Sequence, residues 1–214
     1  MNLLRRSIVL ALGLAPLAAL RAQTTPESGF DYTVLKPEQP VETKGKVEVI
    51  EFFWYGCPHC YALEPALESW VKKLPADAEF RRVPAVLSQG WVPHAQAYYA
   101  FEALGALPKL HRPFFDAIHR DRLNIGNQEA FNQFLEKNGV EPAKFLEAVK
   151  SFGVQSKVRR AAQVSTAYRI DGVPALAVQG RYTVSAEQGK TREGMLATAD
   201  HLIGVARKSL SAAK

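Results

Sequence analysis

An apolar stretch over residues 47–55 is the strongest pattern in the chain, and it breaks at Gly56. A run of this length, bounded by turn residues, is typical of a strand buried on both faces of a sheet. The residues that follow, 61–74, have the spacing of an amphipathic helix, which Pro75 ends. The pattern therefore predicts a strand, a tight turn and a helix in immediate succession.

The remaining pattern predicts a mixed α/β protein. Short strands are expected at residues 32–34 and 79–86, and a hairpin at 175–184 that turns at Gly180. The chain between residue 86 and this hairpin is far longer than the ~10–12 residues that a parallel crossover needs. Its apolar positions have helical spacing, and its aromatic residues are expected in the core. The predicted helices cover residues 93–104, 108–120, a segment from Asn127 to Asn138, one opened by Pro142, 157–170 and 191–208.

The turn after the first long strand carries the two cysteines of the chain, in the order Cys57, Pro58, His59, Cys60. Both sulfurs then lie in the first turn of a helix, where N–H groups are unpaired and the peptide dipoles favour an anion. Pro58 suits the first helical position because a missing N–H costs nothing there. A protonated His59 ring would attract a neighbouring anion. We therefore predict a reactive Cys57 thiolate, with Cys60 close enough to form a disulfide with it.

A stabilised Cys57 thiolate determines the direction of the redox chemistry. Each unit by which the pKa of Cys57 falls stabilises the reduced form by about 1.4 kcal/mol. For a two-electron couple this raises the reduction potential by roughly 30 mV. The pair Pro58-His59 therefore predicts a disulfide that is donated to other proteins.

Three alternative roles for the cysteine pair have to be considered: a structural disulfide, a zinc site and haem attachment. A structural disulfide at this spacing would close almost no loop entropy. A zinc site would need a second pair of ligands, and the remaining histidines are scattered. Haem attachment needs a histidine directly after the second cysteine, where Tyr61 stands. We therefore expect no metal and no cofactor beyond a redox-active Cys57–Cys60 disulfide.

These motifs resemble the DsbA family of periplasmic thiol:disulfide oxidoreductases. The resemblance rests on Glu51-Phe52-Phe53 followed by Cys57-Pro58-His59-Cys60-Tyr61, on Gly172-Val173-Pro174-Ala175, and on Phe30-Asp31-Tyr32. It implies a thioredoxin fold with an inserted all-helical domain. It also implies that Val173-Pro174 is a cis-proline loop that faces the cysteines and offers backbone groups to an extended substrate; an ordinary turn before a strand is the alternative.

Glu51 is an acid on an otherwise apolar strand, six residues before Cys57. A buried carboxyl there would have a raised pKa and could relay a proton to or from Cys60; a solvated strand edge is the alternative. Glu64 could share that route or be a surface charge. His94 and His111 are expected to be ordinary loop or surface histidines.

The domain prediction begins with a signal peptide over residues 1–22, which has Arg5 and Arg6 before an apolar core that is too short to span a bilayer. An uncleaved inner-membrane anchor is the alternative. The thioredoxin-fold domain is expected over 23–90 and 157–214, with the helical insertion at 91–156. Export to the periplasm is the localisation that this organisation implies.

Charge and partners complete the prediction. The formal net charge is +6, and the three arginines of the first 22 residues reduce it to +3 after cleavage, so nucleic-acid binding is not expected. The predicted substrates are reduced or unfolded exported proteins, and the resemblance implies reoxidation by a DsbB-like quinone-linked membrane protein. A monomer is expected. The alternatives are a disulfide isomerase or reductase of the same superfamily, and a peptide-binding chaperone.

Overall fold

The computed structural model describes residues 25–212 of the chain, so the predicted signal peptide lies outside the described residues. A five-stranded sheet forms its centre, with the strand order β1-β5-β4-β2-β3. Strand β3 runs parallel to β2, and the other pairs are antiparallel. The strands are β1 (Thr33–Val34), β2 (Val47–Phe53), β3 (Ala78–Pro84), β4 (Ala175–Val178) and β5 (Tyr182–Ser185).

Strand β2 is the central element, and all of its residues are buried. Successive side chains of a strand point to opposite faces, so Val49, Glu51 and Phe53 share one face of the sheet. The strand ends at Phe53, two residues earlier than predicted. It ends there because Trp54 begins a turn, in which the Cys57 N–H donates to the Trp54 carbonyl oxygen at 2.9 Å.

Seven of the helices in the described residues follow the predicted order, and a four-residue helix directly after β5 was not predicted. They are α1 (Pro58–Val71), α2 (Val92–Ala103), α3 (Leu107–His119), α4 (Gln128–Lys137), α5 (Pro142–Lys150), α6 (Phe152–Ala167), α7 (Ala186–Gly189) and α8 (Arg192–Ala212). Asn127 caps α4, as predicted, by accepting from the Ala130 N–H. The prediction for α6 was wrong at its start: the Ser151 hydroxyl accepts from the Val154 N–H at 3.2 Å and begins the helix well before residue 157.

Three larger clusters, and a small one formed by Ala95, Val154 and Val158, make up the core of the described residues. One lies between the sheet, α1 and α8, and another lies between the opposite sheet face and α6. The third is built from the helices between β3 and β4, and it includes the buried rings of Phe101, Phe114, Phe115 and Phe131. The prediction that the aromatic residues of this segment are core is confirmed for these four rings and wrong for Phe152, which is 82% exposed. Phe53 and Tyr55 extend this third cluster to the end of β2.

The predicted domain boundaries remain predictions. Helices α2 to α5 lie between β3 and α6, and the predicted boundary after residue 156 falls inside α6. Within residues 25–212, no helix combines the length and the apolar composition that crossing a bilayer requires.

Candidate active site

Cys57 is the N-cap residue of α1, and Pro58 occupies the first helical position. Its backbone is extended, with φ −85° and ψ 117°, which aims the sulfur at the helix terminus. The Cys60 N–H donates to the Cys57 Sγ over 3.4 Å. Both thiols are free, with 5% of Cys57 and none of Cys60 exposed. Both sulfurs therefore lie at the start of a helix, as the strand–turn–helix pattern predicted.

The two thiols have opposite electrostatic environments. A hydrogen bond from the Cys60 side chain, together with backbone N–H groups of Cys60 and His59 and the charge of His59, outweighs burial and lowers the pKa of Cys57 to about 6. Burial raises the pKa of Cys60 well above its ordinary value, and the adjacent Cys57 adds to this shift. The two shifts therefore favour the thiolate at Cys57 and the protonated thiol at Cys60.

The loop before β4 lies against Cys57. The Cys57 Sγ is 3.3 Å from the Val173 carbonyl oxygen, and the Val173–Pro174 peptide bond is cis. A cavity of about 530 Å³ extends from this contact, lined by His59, Leu63, Pro174, Arg192 and Met195 among others. His59 and Pro174 both line this cavity, which we call the groove.

Glu51 is fully buried, so the solvated-edge alternative is wrong. Its Oε2 accepts from the Arg82 Nε at 2.8 Å, because parallel pairing places Arg82 next to Glu51 across β2 and β3. Its Oε1 has no partner within the described part of the chain. Burial, with repulsion from Glu64, outweighs the attraction of Arg82 and raises the pKa of Glu51 to about 8. Glu51 is therefore protonated at neutral pH.

Glu64 is also fully buried, so it is not a surface charge. Its carboxylate accepts from Arg82 Nη2 at 3.1 Å and contacts the Nε2 atom of His111 at 3.2 Å. Burial alone would raise the pKa of Glu64, but the hydrogen bond with His111 and the charge of Arg82 hold that pKa below its usual value. The pKa values of Glu51 and Glu64 are therefore shifted in opposite directions.

The sequence prediction for His111 was wrong, because this residue is buried in the charge cluster. Its Nδ1 lies 2.8 Å from the Tyr55 hydroxyl. The signal in the sequence was its position three and four residues before Phe114 and Phe115, on the apolar face of α3. His94 stacks on Trp54 with ring centroids 5.5 Å apart, and burial lowers its pKa to about 4.

We expect the thiolate absorbance of the reduced protein to titrate with a midpoint near 6, because the N–H and S–H groups around Cys57 favour its anion. The measurement is ultraviolet absorbance against pH. Cys57→Ser, which removes this thiolate, serves as the blank. Cys60→Ala, which removes the S–H donor, should raise the midpoint. A wild-type midpoint near the ordinary ~8.5 of a free thiol would contradict the assignment.

The comparisons with known proteins agree on one family. A family model described as the DSBA-like thioredoxin domain matches residues 48–199. The thiol:disulfide interchange protein DsbA of Burkholderia cepacia is 41% identical over 204 residues, which is 95% of this chain and 96% of that protein. DsbA of Azotobacter vinelandii is 42% identical over 175 residues, or 82% of each chain.

A solved structure agrees with this sequence similarity. The crystal structure of Pseudomonas aeruginosa DsbA superposes with a TM-score of 0.81 at 37% identity, covering 86% of this chain and 95% of that chain. Among residues 25–212, no group of histidine, cysteine, aspartate and glutamate side chains is arranged to hold a metal ion. The functional groups found in the site are the sulfurs and the buried charges around them.

Proposed function

This chain belongs to the family of DsbA-like thioredoxin-domain proteins, and we propose that it donates its Cys57–Cys60 disulfide to exported proteins that are folding. It is a thiol:disulfide oxidoreductase with a thioredoxin fold, as its motifs predicted. The opposite pKa shifts of the two cysteines support donation as the direction. With a pKa about one unit below neutral, Cys57 stabilises the reduced form at pH 7 by about 1.4 kcal/mol, or roughly 30 mV.

The reaction proceeds through a mixed disulfide. A substrate thiolate attacks the Cys57 sulfur, the new S–S bond forms, and the Cys57–Cys60 bond breaks with its electron pair on Cys60. A second substrate thiolate then attacks the substrate sulfur of the mixed disulfide, and Cys57 leaves as a thiolate. The substrate loses two electrons and the cysteine pair gains them. Attack by Cys60 would instead restore the starting disulfide, so stabilisation of the Cys57 thiolate favours the forward step.

Glu51 supplies the proton that Cys60 takes up in the first step. The raised pKa of Cys60 means that this sulfur leaves best when it becomes protonated. Glu51 carries a proton at neutral pH and interacts electrostatically with both cysteines. Because the Oε1 atom of Glu51 has no partner among the described residues, it is free to exchange that proton through a water molecule.

Val173 and Pro174 hold the substrate backbone. An extended peptide that enters the groove would pass the Val173 carbonyl oxygen, which already lies 3.3 Å from the reacting sulfur. Backbone hydrogen bonding of this kind is independent of side-chain identity, so it suits an enzyme that acts on many unfolded proteins. His59 and Pro58 act at the helix terminus, where they favour the Cys57 thiolate.

The proposed setting is the periplasm, reached by a signal peptide over residues 1–22. Disulfides persist in that compartment, and a donor must be reoxidised after each turnover. A DsbB-like quinone-linked membrane protein fits that requirement, since it would accept the two electrons that Cys57 and Cys60 hold. We propose that the protein acts as a monomer. We also propose that it needs no cofactor, because the two sulfurs carry the electrons themselves.

The test is oxidation of a reduced, unfolded thiol protein by the purified disulfide form. We expect one substrate disulfide to form for each equivalent of enzyme, with Cys57 and Cys60 recovered as thiols. The control is the double variant Cys57→Ser/Cys60→Ser, which should not oxidise the substrate. If the double variant suppresses aggregation as well as the wild type, and the wild type forms no substrate disulfide, the protein is a chaperone and the proposal fails.

A further inference from the structure

A buried charge cluster lies behind the cysteines, and in it two carboxyl groups share one guanidinium. Its members come from four elements: Glu51 from β2, Glu64 from α1, Arg82 from β3 and His111 from α3. The guanidinium of Arg82 contacts both carboxyl groups, with its Nε 2.8 Å from Glu51 and its Nη2 3.1 Å from Glu64. A single cation placed between two buried carboxylates can fully compensate only one of them.

His111 is held in one orientation within this cluster. The Tyr55 hydroxyl lies 2.8 Å from its Nδ1, and Glu64 Oε1 lies 3.2 Å from its Nε2. A neutral ring with its proton on Nε2 satisfies both contacts, because Nε2–H then donates to Glu64 and Nδ1 accepts from Tyr55. Burial favours this neutral ring by lowering the pKa of His111.

We propose that His111 is a positioning residue of the thiol–disulfide reaction: its N–H fixes Glu64 as the carboxylate partner of Arg82 and thereby leaves the proton on Glu51, beside the cysteines. The inference rests on the proposed role of Glu51 as a proton donor. Within residues 25–212 neither cysteine forms a hydrogen bond with His111, so the effect passes through Glu64 and Arg82.

The physical reason is that His111 interacts with only one of two glutamates that otherwise have similar surroundings. Without His111, both carboxyl groups would compete for Arg82 on similar terms, since both are fully buried. A hydrogen bond to the charged form of a carboxyl group favours that form, and His111 donates one to Glu64. Once Glu64 is ionised, it compensates Arg82 and repels a second negative charge. Glu51 then keeps its proton, in agreement with the opposite shifts of the two glutamates.

The groups around His111 are compatible with a neutral ring that donates a hydrogen bond to Glu64. The charged or titratable groups that face the ring are Glu64 and Glu68 of α1, Tyr55, Arg82 of β3, Tyr98 of α2 and Arg112 of α3. Glu68 attracts a positive charge on the ring, whereas Arg82 opposes it. A cavity of about 270 Å³, lined in part by Glu68, Arg82, His111 and Arg112, brings solvent to this side of the cluster.

The test compares two substitutions of His111 in the reduced full-length protein. His111→Phe keeps an aromatic ring but removes the donor to Glu64, whereas His111→Gln can keep an N–H near the same place. Carboxyl titrations are followed by infrared or carbon NMR spectroscopy, and Glu51→Gln assigns the signal of Glu51. We expect His111→Phe to lower the midpoint of Glu51 by about one pH unit, a tenfold change in proton affinity, and His111→Gln to restore most of the wild-type midpoint.

A second variant keeps the inference falsifiable where His111→Phe does not fold. Glu64→Gln removes the competing carboxylate, so Arg82 can pair with Glu51 and the midpoint of Glu51 should again fall. In the Glu64→Gln background the His111 N–H no longer faces a carboxylate, so adding His111→Phe should produce no further change. An unmoved midpoint of Glu51 in Glu64→Gln, or in a folded His111→Phe protein, overturns the inference. Failure of the proposed function is a separate result, because it would appear as absent substrate oxidation in the wild type.

Discussion

Replacing Cys57 with serine will abolish disulfide transfer, and the thiol left in that variant will be nearly unreactive. The remaining sulfur, Cys60, is completely buried, and burial raises its pKa well above 9. At pH 7 less than about 1% of such a thiol is ionised, whereas a thiol of pKa about 6 is roughly 90% ionised. The thiolate is the reacting species, so the two sulfurs should differ greatly in reactivity.

The matched variant is Cys60→Ser, which also cannot form the disulfide but keeps Cys57. Serine retains an O–H that can donate to Cys57, so the Cys57 thiolate should remain stabilised. We expect Cys60→Ser to react with an alkylating reagent at pH 7 roughly tenfold or more faster than Cys57→Ser, because a lower intrinsic nucleophilicity offsets only part of the gain in ionisation. Mass spectrometry of timed samples gives both rates.

These two variants also separate the roles of the sulfurs. Cys60→Ser should accumulate a stable mixed disulfide with a small disulfide reagent, since Cys60 is no longer present to displace it. Cys57→Ser should accumulate none. Equal alkylation rates, or faster modification of Cys60, would show that the assignment of nucleophile and buried partner is reversed.

Replacing Arg82 with methionine will destabilise the fold by about 3–5 kcal/mol at neutral pH, because removal of one partner leaves buried charge without compensation. Arg82 contacts both Glu51 and Glu64, which are fully buried. Urea unfolding monitored by circular dichroism gives the free energy of unfolding. The control is Lys144→Met, which breaks an exposed pair with Glu141 and should change that free energy by less than about 1 kcal/mol.

The pH dependence of this deficit has a definite sign. Without Arg82, the folded-state pKa of Glu51 rises further above that of the unfolded chain, and the lowered pKa of Glu64 rises as well. A raised folded-state pKa contributes stability that is complete below the unfolded value of about 4.5 and is lost as the pH rises through the folded value. The deficit of Arg82→Met should therefore shrink when both proteins are compared near pH 5. A deficit that grows as the pH falls would contradict the buried-cluster account.

The local chemistry of the site could be predicted from the sequence because its determinants are contiguous. Cys57 to Cys60 follow a buried strand and open a helix, so the chain itself places both sulfurs at an N-terminus. Asn127, which caps α4, and Gly180, which turns the hairpin, likewise act on their immediate neighbours. For such features the backbone geometry of a few residues is sufficient.

The environment of Glu51 was decided only by the tertiary structure. In sequence, an acid on an apolar strand fits a solvated edge as well as a buried site. The register of β2 against β3 placed Arg82 beside it, and the packing of α1 and α3 brought Glu64 and His111 to the same point. These contacts join residues that are distant along the chain, and no periodicity encodes them.

The sequence by itself thus determined the strand, the turn, the reactive cysteine and the helical segment that follows, since local conformation and apolar periodicity encode each of them. The tertiary structure alone decided which buried carboxyl keeps its proton. The family resemblance indicated that the loop of Val173 and Pro174 faces the cysteines, and folding sets the distance from the Val173 carbonyl oxygen to the Cys57 sulfur at 3.3 Å. Proton affinity and contact depend on burial and on charges brought together by folding, so they are properties of the packed molecule.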